Sequence, residues 1–168
     1  MLEALITSKT RLKLLIKFFV SSTNTGYLRG IAEEFNESTN SIRKELNQLS
    51  DAGYLVKSQH NNKILYKANE THPLFKSLQK LIHSYLGIDQ IIENVLDRAG
   101  DVSSVALIGD YAKGLDSGEI EVLILGNDLN TIYLLNLADK TAQLLRKKIN
   151  LYFEEPVDIV HRIVLYDV

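Results

Sequence analysis

The sequence predicts an α+β chain, and three observations predict it. Apolar residues recur at helical spacing in three successive stretches before residue 53, and two short runs rich in Val, Ile, Leu and Tyr with a polar tip follow. From residue 102 the period changes to short apolar strands around one long helical stretch. Charge divides the chain in the same way. Residues 1–68 carry ten Lys/Arg against six Asp/Glu, a net +4, and the remaining hundred carry nine against fifteen, a net -6. The total of -2 therefore hides a basic module suited to a polyanion and an acidic one.

Ser8 or Thr10 is placed to cap a first helix in which Leu12, Leu15, Ile16, Phe19 and Val20 share a face, with Lys13 and Lys17 on the wetter side. After a polar break at 21–26, Leu28, Ile31, Ala32 and Phe35 mark a short second helix. Ser38 or Thr39 then caps a third, with Ile42, Leu46 and Leu49 inward and Asn40, Ser41, Arg43, Lys44, Asn47 and Gln48 outward. Gly53 is expected to stop it, because glycine tolerates the left-handed backbone of a helix end. Residues 54–68 read as a β-hairpin with the tip SQHNNK.

Pro73 suits the first turn of a fourth helix that sets Leu74, Leu78, Leu81, Ile82 and Tyr85 along one side. Gly87 breaks it, and Ile88 to Ala99 form a fifth, with Ile91, Ile92, Val95 and Leu96 apolar. These two helices link the modules, and pairing with a second copy and packing within one chain are both open. Strands are expected at 102–109, 118–126 and 148–153, with a long helix at 129–148 and either a helical turn or a strand in 155–168.

Composition excludes several chemistries. With no Cys there is no disulfide scaffold, thiolate zinc site, iron–sulfur cluster or Cys nucleophile, which is compatible with a reducing cytoplasm. The longest apolar runs fall far short of the roughly 20 residues a membrane helix needs. The start MLEALITSKTRLK lacks a signal core, so a cytoplasmic protein without a membrane partner is expected. His60, His72, His83 and His161 lack zinc-ligand spacing, and neither a GxSxG elbow nor a GxxxxGK[ST] loop occurs.

Over residues 8–69, the run LRGIAEEFNESTNSIRKELNQLSDAGYLV followed by KSQHNNKILYKAN resembles the winged helix-turn-helix regulators of the ArsR and MarR type. The resemblance implies that the third helix enters the major groove of double-stranded DNA. Ser38, Thr39, Asn40 and Ser41 would then meet phosphates and base edges, and Arg43 and Lys44 would supply charge and guanine contacts. Lys57, His60, Asn61, Asn62 and Lys63 would lie in the wing beside the backbone or minor groove. The bland alternative for each is a solvated surface residue. A net +4 predicts modest affinity per monomer, and hence a homodimer on a two-part operator.

The run LIGDYAKGLDSGEIEVLI at 107–124 resembles the signature of the minimal nucleotidyltransferases of the polymerase beta superfamily. In that family a strand ends in Gly-Ser, a short helical turn follows, and Asp-x-Asp on the next strand joins a third Asp in holding two magnesium ions. Here Gly109 is kept, but Asp110 replaces the Ser and puts negative charge where phosphates would sit. Glu119 and Glu121 replace the Asp pair, adding a methylene to each arm of the candidate catalytic and metal-binding residues. The third ligand becomes Asn150, or Asp158 in a shifted register. Magnesium demands near-ideal octahedral geometry at about 2.1 Å, so four departures at one centre point to lost catalysis.

The expected organisation is a winged helix-turn-helix DNA-binding domain over 1–69, linker or dimerisation helices over 70–100, and a nucleotidyltransferase-like α/β domain with a small mixed sheet over 101–168. Two functions follow, with a pure protein-interaction module as a third class. One is a DNA-binding transcriptional regulator whose inactive C-terminal domain serves dimerisation or binds a nucleotide or other small ligand. The other is an active nucleotidyltransferase that takes Mg2+ and a nucleotide and docks its substrate on the winged helix. A purely structural role for Glu119 and Glu121, on the solvent face of an alternating strand, stands beside both.

Overall fold

In the computed structural model, which describes residues 2–168 with the side chains at 90 and 94 outside the description, the chain is α+β and divides into two units, Met1–Ile82 and His83–Val168. In the first unit, helix α1 (Lys9–Val20) starts where Ser8 accepts a hydrogen bond from the Arg11 amide. Its apolar band is wider than an amphipathic stripe: Leu14, Phe18 and Phe19 are fully buried along with Leu12, Leu15, Ile16 and Val20. Burying one such side chain stabilises by about 1.5–3 kcal/mol, so α1 is the spine of this unit.

Lys17, expected on the wetter side, is instead 6% exposed. Its Nζ lies 2.9 Å from Glu34 Oε1, so the buried ammonium keeps a counter-charge.

Strand β1 (Thr25–Tyr27) leads into α2 (Leu28–Phe35), which ends on Asn36 in the left-handed conformation. Helix α3 (Thr39–Asp51) begins at the cap Ser38 and ends at Gly53, whose φ is +79°. There the Tyr54 amide donates to Leu49 O and the Gly53 amide to Ser50 O, a Schellman closure of the last carbonyls. Strands β2 (Leu55–His60) and β3 (Lys63–Ala68) form the hairpin. Its tip is tighter than SQHNNK suggests: Asn61 and Asn62 alone make the turn, both at positive φ, as a two-residue hairpin turn requires. Strand β1 pairs antiparallel with β3, giving a sheet of order β1-β3-β2.

Helix α4 (Phe75–Leu86) starts two residues after Pro73. It buries Phe75, Ile82 and Leu86, whereas Leu74 and Leu81 are exposed, so its inward face is rotated from the expected one.

The second unit contains α5 (Ile88–Arg98), which buries Ile88, Ile91 and Val95. Strand β4 (Asp101–Ile108) runs into the one-turn helix α6 (Gly109–Ala112). Then come β5 (Glu119–Asn127), α7 (Thr131–Leu145), β6 (Lys148–Tyr152) and β7 (Arg162–Asp167), the last of which settles the closing segment as a strand. The sheet is mixed, in the order β6-β5-β4-β7. β5 and β6 are parallel, and β4 is antiparallel to both β5 and β7. Between Val105 and Ala106 the β4–β7 register shifts, leaving Leu165 as an extra residue on the edge strand. Strand β5 buries Ile120, Val122, Leu123 and Ile124, so Leu123 is covered although it shares a face with Glu119 and Glu121.

Candidate functional site

Helix α3 is clamped from beneath. Ile42 and Leu46 are fully buried, and Glu45, 7% exposed, accepts from Ser8 Oγ at 2.8 Å and from Arg11 Nε at 2.7 Å. The turn before α3 is tied to the same helix, since Glu37 accepts from Lys13 Nζ at 2.8 Å and from the Thr10 hydroxyl. Burial would raise the Glu37 carboxyl, but the hydrogen bonds and charge of Lys13 with the Thr10 bond outweigh it and hold the group below its ordinary value. With one face fixed, Thr39, Asn40, Arg43, Lys44, Asn47 and Gln48 face solvent.

A hollow of about 810 Å³ opens between α2, α3 and the hairpin, lined by Tyr27, Arg29, Glu33, Arg43, Asn47, Lys57, Asn62, Lys63 and Tyr66 among others. Its side chains carry four cations and one carboxylate. Two of the cations are set over aromatic rings: Lys63 Nζ is 5.8 Å from the Tyr27 centroid, and Lys57 Nζ is 5.9 Å from that of Tyr66. Tyr66 forms the floor. Burial lifts its phenol above the ordinary value, and the Arg43 charge opposes that shift. Arg43 is steadied by donating from Nη1 to Asn40 Oδ1 at 2.9 Å. Among the described residues, the ion pairs of this unit engage Arg11, Lys13, Lys17 and Lys67, none of which lines the hollow.

The residues expected at a DNA surface separate into groups. Arg43, Lys57, Asn62 and Lys63 line the hollow. Lys44, His60 and Asn61 are exposed outside its lining, and Thr39 lies in a shallower depression with Arg29, Asn36 and Glu37. The Ser38 hydroxyl is engaged as the helix cap, and the Ser41 hydroxyl lies 3.4 Å from that of Thr10. Sequence reasoning missed Tyr27 and Tyr66, which the β1–β3 pairing brings to the hollow, and Arg29, which follows on α2. Asn47 was legible, one turn beyond Arg43 on the outward face.

In the second unit, the parallel register sets Glu119 opposite Lys148, Glu121 opposite Asn150 and Leu123 opposite Tyr152. These pairs share one face of the sheet. Lys148 Nζ donates to Glu119 Oε1 at 3.3 Å, and the Tyr152 hydroxyl donates to Glu121 Oε1 at 3.0 Å. That bond to a carboxylate, with burial and the negative charge nearby, raises the Tyr152 phenol above its ordinary value. Gly109, at φ +67°, marks the β4–α6 junction, and a Cβ added there would overlap Glu121 Oε2. Glu121, Gly109, Tyr152, Asp158, His161 and Lys113 line a groove of about 270 Å³, floored by Ile108 and flanked by residues 156–160. Asp110 lies outside its lining, with its carboxylate 3.6 Å from Lys113 Nζ.

The preceding turn is pinned from below. Tyr111, fully buried, donates its hydroxyl to Asp116, and Lys147 Nζ reaches the Tyr111 oxygen at 2.8 Å and Asp116 Oδ1 at 2.6 Å. Burial first, then the bond to Asp116, pushes the Tyr111 phenol far above its ordinary range, so it remains a donor.

These residues do not fit a two-magnesium centre. Both glutamates already have donors, Asn150 is neutral, and Asp158 sits on an exposed loop. Among the described residues no group of three or more His, Asp or Glu is disposed to hold a metal.

No family model matches the chain, and no curated protein matches it. Three solved structures resemble parts of it. A toxin–antitoxin crystal structure with AMP-PNP is 22% identical, covering 48% of this chain and 73% of that one, with a TM-score of 0.41. A mutant MntA-HpeT toxin–antitoxin is 24% identical over 48% of this chain and 72% of that one, also at 0.41. The AntR antimony-specific transcriptional repressor is 14% identical over 54% of this chain and 75% of its own, at 0.40. The superpositions are too loose to carry a functional argument, which rests on the residues above.

Proposed function

We propose that this chain is a DNA-binding transcriptional regulator that grips double-stranded DNA with its first unit. The observation that carries the reading is the cationic hollow beside α3, where Arg29, Arg43, Lys57 and Lys63 converge with only Glu33 opposing them. A DNA strand supplies phosphates at regular spacing, and cations without carboxylate partners release counterions when phosphates replace them. In this reading Asn40, Arg43, Lys44 and Asn47, exposed on α3, meet base edges, while Asn62, Lys57 and Lys63 hold the backbone from the wing.

In this reading residues 1–69 form the winged helix-turn-helix domain and 70–100 the linker. Residues 101–168 form a nucleotidyltransferase-like domain without catalysis that serves dimerisation or ligand binding. The protein acts as a cytoplasmic homodimer on a two-part site. The test is fluorescence anisotropy on a library of genomic fragments at low salt. Binding that weakens with added salt and is lost in the Arg43→Ala, Lys63→Ala double variant is expected. Absence of binding, or binding indifferent to both salt and the double substitution, overturns the reading.

A further inference from the structure

We propose that the second unit carries its own substitute for a metal: the Lys148 ammonium and the Tyr152 hydroxyl satisfy Glu119 and Glu121, and Glu121 folds onto Gly109, so the groove refuses divalent cations and nucleotide polyphosphates. This deepens the reading of the second unit as a nucleotidyltransferase-like domain without catalysis and is independent of DNA binding.

Register comes first. Because β5 and β6 run parallel, Glu119 stands opposite Lys148 and Glu121 opposite the neutral Asn150 on the neighbouring strand. Tyr152, two residues further along β6, reaches back diagonally to Glu121 at 3.0 Å. The position that would supply a third carboxylate is thus neutral, and each remaining carboxylate has a donor. A divalent cation entering here would have to displace an ion pair and a hydrogen bond, and would find a ligand set short of charge.

Side-chain length comes second. Gly109 has room for close approach because it lacks a Cβ, and Glu121 Oε2 occupies that room. The longer glutamate arm reaches the β4–α6 turn that an aspartate one methylene shorter would leave open. A fixed carboxylate against this backbone opposes a phosphate by charge and by volume. The extra methylene of Glu121 therefore seals the site from within.

The experiment uses the full chain. Titration with Mn2+ followed by electron paramagnetic resonance, and with Mg2+-ATP by calorimetry, should show no saturable binding tighter than about 1 mM for the native sequence. Substituting Lys148→Met with Tyr152→Phe frees both carboxylates, and this variant should bind Mn2+ at least about ten-fold more tightly, a gain of 1.4 kcal/mol. Adding Glu121→Gln should abolish the gain.

Native Mn2+ or Mg2+-ATP binding that Glu121→Gln removes overturns the proposal, as does a folded double variant that gains nothing. If the double variant does not fold, the native titration and the single Tyr152→Phe variant, expected to gain in the same direction, still decide. DNA binding measured on the same preparations should be unchanged throughout, which separates this outcome from that of the regulatory reading.

Discussion

The two hollows of this protein make opposite use of charge. Beside α3, cations stand over tyrosine rings or brace on a neutral amide, so their positive charge stays uncompensated and faces solvent. On the face of β5 and β6 that leads to the Gly109 groove, the exposed Glu119 and the half-buried Glu121 are taken up by Lys148 and Tyr152 on the next strand. A π face holds an ammonium in place without neutralising it, whereas an ammonium on a carboxylate removes the charge from use. Binding capacity therefore follows from what a charged group already touches.

The largest test of this contrast is to empty the first hollow. Arg43→Ala with Lys63→Ala should weaken DNA binding at low salt by about two orders of magnitude, read by anisotropy, given about 1–3 kcal/mol for a base-reading Arg plus one phosphate contact. Equal affinity in the variant would show that the uncompensated cations are idle. Next, Gly109→Ala attacks the second hollow through its backbone. A left-handed φ and the overlap with Glu121 together should cost about 1–3 kcal/mol in chemical denaturation, and a neutral result would mean that Glu121 does not rest on this turn.

Smaller effects sharpen the comparison. Lys57→Ala should lower the slope of log affinity against log salt by about one while changing sequence preference little. Tyr27→Leu, which removes the ring beneath Lys63 but no charge, should weaken binding less than Lys63→Ala does, and an equal loss would make the ring as important as the ammonium.

The smallest concerns Glu37. Its carboxyl is lowered in the folded state, so the stability it contributes is present above its ordinary value of 4.5 and is lost as pH falls through the lower folded value. Glu37→Gln should therefore flatten the acid side of the stability profile in thermal melts, with little change in DNA affinity at neutral pH.

Much of the fold was legible because it is local. Helix period, the Ser8 and Ser38 caps and the Gly53 stop each depend on residues within a few positions of one another. Strand β1 escaped because three residues cannot show alternation, and its strand status comes from β3, forty residues away. Lys17 reads as a wetter-side residue in sequence because its partner Glu34 belongs to another helix. The apolar residues of α4 fit two phases, and packing around Phe75 and Ile82 selects the one that periodicity alone does not.

The site residues followed the same division. Arg43, Lys63, Glu119 and Glu121 stood out by motif, but their availability is set by strand neighbours. Neither Tyr27 beneath Lys63 nor Lys148 against Glu119 carries a motif of its own.

The extra residue at Leu165 has a colloidal consequence. Strand β7 is an edge of its sheet and carries the apolar stretch Ile163-Val164-Leu165, a composition that invites another chain to extend the ladder. The bulge interrupts its regular spacing of amides and carbonyls, and Arg162 and Asp167 place a charge at each end. A flat apolar edge would template fibres; the bulge and the two terminal charges work against that stacking.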